Sequence, residues 1–199
     1  MTMDRLVIDE VKRIFADRRV PEYLNRTHIV LIPKIQGPKT LGNYRTKSLC
    51  NSVYKIVTKI IVARLRLYLD KLISPLQIAF VPGRKGIDNI IIAQEVIHTI
   101  SKKEGRVGYM ALKIDLEKAY DKLEWNFIRD MLIRVNLPGD LIDIIMSCVL
   151  TISISIMVNG EARDPIYPSK GIRQEDHLSL YMFILCMDFL GQLIEAREV

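Results

Sequence analysis

The apolar positions in the first half of the chain change from a helical period to a strand period and back. They predict an amphipathic helix, a buried strand, a hairpin tip and a long helix, in that order. These elements cover Leu6 to Phe15, Thr27 to Ile32, Gln36 to Asn43 and Ser52 to Ile73. The region of Pro21 ends the first helix, and Ser74-Pro75 stops the last one, since the residue before a proline avoids helical geometry.

The second half of the chain continues with a mixture of both periods. Asp88 is placed to cap a helix that stops near Gly105, and Val107 to Leu116 then alternates as in a strand. Asn159-Gly160 is a two-residue hairpin turn. Helices are further predicted at Lys122 to Val135, Leu141 to Val149 and after Gly171, with a strand at Thr151 to Val158. This order predicts an α+β fold, in which antiparallel pairing is favoured over a doubly wound sheet.

Composition places the chain among globular proteins. Its 199 residues are 49% hydrophobic and 26% charged, which excludes disordered and collagen-like classes. The formal charge of +6 is compatible with a polyanionic partner, although such an excess is more often a soluble surface. The three cysteines, Cys50, Cys148 and Cys186, are too widely spaced for a zinc site, so buried reduced thiols are expected.

The apolar stretches also bear on location. None approaches the ~20 residues that a bilayer-spanning helix needs, and the N-terminus lacks the apolar core of a signal peptide. We therefore expect no membrane partner and an intracellular protein, in the nucleus or the cytoplasm.

Several polar segments could carry chemistry. Lys113 to Asp121 places a carboxylate, Asp115, where a strand leads into a helix; this suits a metal ligand, but a strand-end aspartate is more commonly a helix cap. Ser169 to Leu180 is a polar turn before an apolar helix. Lys34 and Arg45 bring one cation to each side of the predicted hairpin, where they could clamp phosphates or simply be solvated.

Taken in order, these segments resemble the reverse transcriptase domain of non-LTR (LINE-type) retrotransposons, most closely the plant lineage. The motifs are Leu31-Ile32-Pro33-Lys34, Asn43-Tyr44-Arg45, Ser48 to Asn51, Ala79 to Arg84, Asp88-Asn89-Ile90, Lys113 to Asp121 and Gly171 to Gln174. The resemblance runs from about Val20 to Leu190. It implies the fingers and partial palm of a right-hand polymerase, with an incomplete antiparallel sheet. After an N-terminal helix over residues 1–20, the fingers would cover about 21–106 and the partial palm about 107–199.

The resemblance also implies roles for individual residues. Asp115 looks like the first palm ligand for Mg²⁺ or Mn²⁺, with the Leu116 carbonyl able to assist. Tyr120 resembles the gate under the nucleotide sugar, and Gln174 resembles the residue at the templating pocket. Lys34 and Arg45 would neutralise the incoming dNTP, while Arg84 and Arg173 would contact nucleic acid. The implied partners are an RNA template and a DNA primer, whose 3′-hydroxyl attacks the α-phosphate with metal assistance.

The sequence departs from the family pattern at several positions. Glu175, His177 and Leu180 replace a glycine and two prolines, and Thr46-Lys47 stand where Pro-Ile is usual. No Asp-Asp pair occurs, so the aromatic-x-Asp-Asp hairpin of the palm is absent from this sequence. We therefore expect an incomplete domain that is inactive as an isolated chain. The alternatives are a non-catalytic nucleic-acid-binding remnant and a relic without function.

The absent hairpin has a structural corollary. The strands predicted at Val107 to Leu116 and Thr151 to Val158 would lack sheet partners, and exposed strand edges favour self-association.

Overall fold

The computed structural model of the protein describes residues 3–75, 77–81, 83–105 and 108–196. Its helices are α1 (Met3–Asp17), α2 (Ser52–Arg66), α3 (Leu69–Leu72), α4 (Gly86–Lys102), α5 (Ala119–Lys122), α6 (Trp125–Arg134), α7 (Gly139–Leu150) and α8 (His177–Glu195). Its strands are β1 (Arg26–Pro33), β2 (Tyr44–Cys50), β3 (Ser153–Val158) and β4 (Glu161–Ala162). Single 3₁₀ turns lie at Glu22–Leu24 and Leu41–Asn43.

The four strands form one mixed sheet in the order β2-β1-β3-β4. Strands β1 and β2 form the predicted antiparallel hairpin, with Ile32 opposite Arg45. Strand β3 lies on the other side of β1 and runs parallel to it, with Arg26 opposite Ser153. The antiparallel expectation therefore holds for the two hairpins, and the central pair differs because β1 and β3 are joined by a long helical crossover.

Strand β3 is paired on both sides, which corrects the expectation that Thr151 to Val158 lacks partners. Beyond β1, its end pairs with β4 through the tight turn at Asn159-Gly160, and an isolated bridge joins Ile154 to Ile166. The expected open edge is therefore absent from this strand.

The strand predicted at Val107 to Leu116 does not form in the described residues 108–116. Its alternating pattern is present, but its large apolar side chains are exposed, and Met110 and Leu112 keep 85% and 76% of their surface accessible. A strand is stabilised by hydrogen bonds to a neighbouring strand. Apart from the bridge between Ile154 and Ile166, the described strands pair only with one another, so this segment stays irregular.

Most helix boundaries lie within a few residues of the predictions, and two of the differences have a clear local cause. The long helix predicted to reach Ile73 ends at Arg66 and resumes as α3, because Tyr68 between them has a φ of −115°. Helix α4 begins at Gly86, so Asp88 lies in its first turn instead of capping it, where its charge still favours the helix dipole.

The hydrophobic core lies between α2, α6, α7 and α8. Helix α8 is long and apolar enough to cross a membrane by length and composition alone. In the structure it is a core helix, and its apolar residues Leu178, Met182, Ile184 and Leu185 are almost completely buried. The same core explains why Cys148 on α7 and Cys186 on α8 are buried thiols.

Candidate functional site

Two predicted motifs meet where the segment around α5 lies against the turn before α8. The amide of Gly171 donates to the carbonyl of Leu123 at 2.7 Å, and the amide of Ile172 donates to that of Tyr120 at 2.9 Å. The indole of Trp125 closes the arrangement by donating to the carbonyl of Gly171 at 2.8 Å. These bonds fix the position of the turn relative to Tyr120.

The close approach of these segments depends on Gly171. Its φ is +86°, and a Cβ at this position would lie 2.9 Å from the Asp121 carbonyl oxygen. Any residue other than glycine would have a strained backbone at this position, and its Cβ would clash with the Asp121 carbonyl. The sequence motif that begins at Gly171 therefore has a direct steric cause.

Tyr120 lies on one of the two contacting segments, and Gln174 lies on the other. The Tyr120 ring is half-buried and stacks on Phe183 of α8, with ring centroids 4.5 Å apart and planes 19° apart. Burial raises the pKa of the Tyr120 phenol, so it stays neutral at physiological pH. The Gln174 amide donates to Asp121 Oδ1 at 3.3 Å and remains exposed. The structure thus places the predicted sugar gate and the predicted templating residue on two segments that are hydrogen-bonded to each other.

Asp115 lies apart from this ordered contact, in the irregular stretch before α5. Its side chain is exposed, as is that of Leu116. Across the described ranges, no group of three or more His, Cys, Asp and Glu side chains could hold a metal ion. The described residues therefore do not fit a two-ion centre, and Asp115 is at most a single contributing ligand.

The two cations predicted to bind the triphosphate, Lys34 and Arg45, both lie at one end of the β1/β2 hairpin. Lys34 directly follows β1, and its ammonium donates to the carbonyl of Gly42 at 3.1 Å. Arg45, in register with Ile32 near the same end of the hairpin, is exposed. This end of the hairpin therefore carries positive charge that faces solvent.

Arg84 stabilises the turn that follows α3. Its guanidinium donates to the carbonyls of Ser74 at 2.6 Å and Gln77 at 2.5 Å, and it lies 3.7 Å from the carboxylate of Asp70. These partners give Arg84 a structural task in addition to the nucleic-acid contact predicted for it.

Arg173 is buried, with 7% of its surface exposed. Its guanidinium donates to Asn25 Oδ1 at 2.6 Å and to the Asn25 carbonyl at 3.2 Å, and it lies 4.5 Å above the Tyr54 ring. This placement corrects the prediction of a nucleic-acid contact: the guanidinium faces the interior because it satisfies the buried polar groups at the start of β1.

Sequence reasoning missed the rest of this buried polar network. The Tyr54 hydroxyl donates to Asp176 Oδ2 at 3.0 Å, and the Asn25 amide donates to the carbonyl of Cys148 at 2.8 Å. Burial, together with the Asp176 charge, holds the pKa of Tyr54 well above its usual value. No periodic signal marks these residues, since the partners are more than 120 positions apart in the chain.

Two residues that differ from the family pattern, Lys47 and Glu175, contact each other. Lys47 on β2 and Glu175 after Gln174 form an ion pair with N and O 3.2 Å apart. Glu175 has a φ of +66°, a conformation that glycine adopts without strain and other residues adopt rarely. The pair therefore links the β1/β2 hairpin to the turn that carries Gln174.

The chain matches the family model described as reverse transcriptase (RNA-dependent DNA polymerase) over residues 32–199. It is 26% identical over 183 residues to a Xenopus laevis protein, the transposon TX1 uncharacterized 149 kDa protein, covering 92% of this chain and 14% of that one. It is 28% identical over 178 residues to the Drosophila melanogaster retrovirus-related Pol polyprotein from type-2 retrotransposable element R2DM.

That alignment covers 89% of this chain and 16% of the Drosophila polyprotein. The Pol polyprotein from the type-1 element R2 of Nasonia vitripennis is 28% identical over 190 residues, 94% of this chain and 18% of its own length. The chain thus spans less than a fifth of each of these three relatives. The match runs from the end of β1 through α8 and includes the contact between Tyr120 and the Gly171 turn, so the chain belongs to the reverse transcriptase (RNA-dependent DNA polymerase) family.

Proposed function

We propose that this chain supplies the fingers, about residues 21–106, and part of the palm, about 107–199, of the reverse transcriptase of a non-LTR retrotransposon. Its substrates would be a dNTP, an RNA template and a DNA primer, and its working compartment would be the nucleus or cytoplasm. The plant-like lineage rests on the sequence motifs alone, because the relatives described above come from animals.

One observation carries this proposal. The hydrogen bonds between the Tyr120 segment and the Gly171 turn hold an aromatic ring and an exposed amide, Gln174, on adjoining segments. This combination suits a nucleotide site, because a flat side chain can bear on the sugar while a polar side chain faces the base pair. The contact supports a nucleotide-binding role for Tyr120 and Gln174.

We further propose that the isolated chain binds without turnover. The family uses divalent metal ions, but Asp115 offers one carboxylate where several are needed. The test is primer extension on an RNA template with Mg²⁺ or Mn²⁺. It compares the chain, Asp115→Ala, and a version extended with the aromatic-x-Asp-Asp hairpin. Extension only by the lengthened version is expected, whereas extension by the unmodified chain that Asp115→Ala abolishes would disprove the proposed incompleteness.

The second candidate is a non-catalytic nucleic-acid-binding remnant, which the exposed cations at the end of the hairpin favour. Binding of a labelled RNA·DNA hybrid would then weaken as KCl rises, because phosphate contacts release counterions. Arg45→Ala should reduce the salt slope by about 1, and Lys12→Ala on α1 serves as the control. Binding that is absent or insensitive to salt would leave the relic as the remaining interpretation.

Substitution of Glu175 provides a separate test of hybrid binding. Its carboxylate places negative charge beside Gln174, in a turn whose neighbours approach closely. Glu175→Gly should strengthen hybrid binding, while Glu175→Gln separates the loss of charge from the gain of backbone freedom. Equal affinity of all three proteins would show that the turn does not face nucleic acid.

A further inference from the structure

The turn that carries Gln174 has two exposed residues between two buried charged ones. Gln174 and Glu175 are exposed, whereas Arg173 before them and Asp176 after them keep only 7% and 8% of their surface accessible. Burying a charge is costly unless the charged group is paired and hydrogen-bonded. The partners of Arg173 and Asp176 therefore decide how the two ends of the exposed segment are held.

One side chain of α2 contacts both of these charged residues. The Arg173 guanidinium lies 4.5 Å from the centroid of the Tyr54 ring, and the Tyr54 hydroxyl donates to Asp176 Oδ2 at 3.0 Å. Tyr54 lies in the first turn of α2 and is only 2% exposed. A single buried residue thus holds both ends of the segment that contains Gln174.

The two ends differ in how much they depend on Tyr54. Arg173 also donates to Asn25 Oδ1 at 2.6 Å, whereas the other side-chain hydrogen bond described for Asp176 comes from the Ser179 hydroxyl and is long, at 3.4 Å. A buried acceptor that loses its good partner costs free energy, and this cost favours turning the carboxylate toward water. The Asp176 end is therefore the one that the Tyr54 hydroxyl secures.

The position of Gln174 follows from these anchors. Its amide donates to Asp121 Oδ1 at 3.3 Å, on the segment that carries Tyr120. Between Gln174 and Asp176, Glu175 has a φ of +66°, a conformation that persists only while the surrounding structure enforces it. Release of Asp176 would let Glu175 relax, and Gln174 would lose its fixed place beside the Tyr120 segment.

We propose that Tyr54 is a positioning residue for Gln174, which it orients through Asp176 and Arg173. This inference rests on the nucleotide-binding role proposed for Gln174 above. Tyr54 does not itself touch nucleic acid, because its side chain is buried. It sets the position from which the Gln174 amide meets the base pair.

The first test compares Tyr54 with a tyrosine in a matched environment. Tyr181 on α8 is also 2% exposed, and its hydroxyl accepts from Arg66 Nε at 2.5 Å at the other end of α2. Tyr54→Phe and Tyr181→Phe each remove one hydroxyl from the interior, so both should lower the midpoint of urea unfolding. Tyr54→Phe alone should weaken binding of a labelled RNA·DNA hybrid, by about fivefold. Equal hybrid binding by the two variants would overturn the proposal.

A double variant tests whether Tyr54 acts through Gln174. Gln174→Ala should weaken hybrid binding about fivefold, and adding Tyr54→Phe to it should cause no further loss, because the two changes disrupt one contact. Additive losses would overturn the role of Tyr54 and leave that of Gln174 intact. Unchanged binding by Gln174→Ala would instead refute the nucleotide-binding role itself.

A pair of substitutions at Asp176 tests the route. Asp176→Asn keeps an oxygen that can accept from the Tyr54 hydroxyl, whereas Asp176→Ala removes it. Asp176→Asn should therefore lose less hybrid binding than Asp176→Ala. Equal losses in these two variants would show that the hydrogen bond from Tyr54 does not position the turn.

Trp125 shows whether the rest of the turn stays in place. It is the only tryptophan of the chain, and its indole donates to the Gly171 carbonyl. Its fluorescence emission maximum should be the same in Tyr54→Phe as in the parent chain, since Gly171 and Ile172 have their own backbone hydrogen bonds. A red-shifted emission together with weaker hybrid binding would overturn the proposal, because Tyr54 would then hold the whole turn and not Gln174 in particular.

Discussion

Helices α2 and α4 are nearly equal in length, yet they differ in how much of their surface is buried. Helix α2 has its apolar residues on one face and most of its lysines and arginines on the other, and it buries residues along its whole length. Helix α4 also has an apolar side, which includes Ile90, Ile97 and Ile100 and lies opposite Asp88 and Glu95, but it buries no residue. An apolar side alone therefore does not bury a helix, and α2 is buried because its apolar face packs against α8.

The contrast extends to the segments that follow each helix. The hairpin and α2 are joined to the second half of the chain through β3, α8 and the Arg173 network. The stretch 108–116 after α4 has a strand-like pattern and exposed apolar side chains. Apolar periodicity therefore predicts which secondary structure a segment can form, and the available packing or pairing partners decide whether that structure forms.

The largest expected effect comes from the same substitution in each helix. Ile61→Ala on α2 should lower the free energy of unfolding by about 2–5 kcal/mol, because Ile61 is completely buried. Ile91→Ala on α4 should change it by less than about 0.5 kcal/mol. Urea unfolding followed by circular dichroism measures both. Equal losses would show that α4 is packed in solution and would break the comparison.

A second pair of variants separates a steric clash from backbone strain. Gly171→Ala should cost about 3 kcal/mol or more, because the new Cβ meets the Asp121 carbonyl in a left-handed backbone. Gly160→Ala shares that strain, with a φ of +85°, but meets nothing within 4 Å, so it should cost about 1 kcal/mol. Similar midpoints for the two variants in urea would mean that the close approach is absent.

The buried thiols make the free energy of unfolding depend on pH. Burial raises the pKa of Cys186 to about 12 and also raises that of Cys148. The folded state therefore keeps protons that the unfolded state releases above pH 9, so stability present below pH 9 is lost as pH rises toward 12. The loss should be about 1 kcal/mol per pH unit for each thiol.

Urea unfolding at pH 8, 9 and 10 checks this expectation. Cys186→Ala should make the pH dependence shallower, because it removes one of the two buried thiols with a raised pKa. A parent chain whose stability does not vary between pH 8 and 10 would show that the two core thiols are not shielded.

The smallest expected effect concerns the ion pair between the hairpin and the Gln174 turn. Lys47 and Glu175 expose 52% and 47% of their side chains, so Lys47→Ala should lower stability by less than about 1 kcal/mol. Salt should erase even this difference. A larger loss that persists in 1 M NaCl would mean that the pair is shielded and joins the two regions more firmly than its exposure indicates.

Much of this architecture is readable from local sequence. The hairpin of β1 and β2, the helices α1, α2, α7 and α8 and the Asn159-Gly160 turn follow from periodicity and turn chemistry, and the structure confirms them. The contact between the Tyr120 segment and the turn that carries Gln174 follows from the motifs only by way of the family resemblance. Its physical cause, the close approach at Gly171, needs the coordinates.

Other features depend on distant partners and escape a local reading. Arg173 lies in a polar turn beside an exposed glutamine, so its sequence context predicts a surface residue. Its partner Asn25 lies 148 positions away, and this long-range bond takes the guanidinium inside. The irregular course of 108–116 is the converse case, where a correct local pattern lacks a neighbouring strand.

The parallel pairing of β1 with β3 also sets an order of events during synthesis. Arg26 lies opposite Ser153, and 153 − 26 gives a separation of 127 positions along the chain between these two paired residues. At roughly 5–20 residues per second, the ribosome needs roughly 6–25 s to make that interval. During this time one side of β1 has no partner, and its unpaired backbone groups can bond to other nascent chains. The yield of folded protein should therefore depend on translation rate and on crowding among ribosomes as well as on the stability of the finished fold.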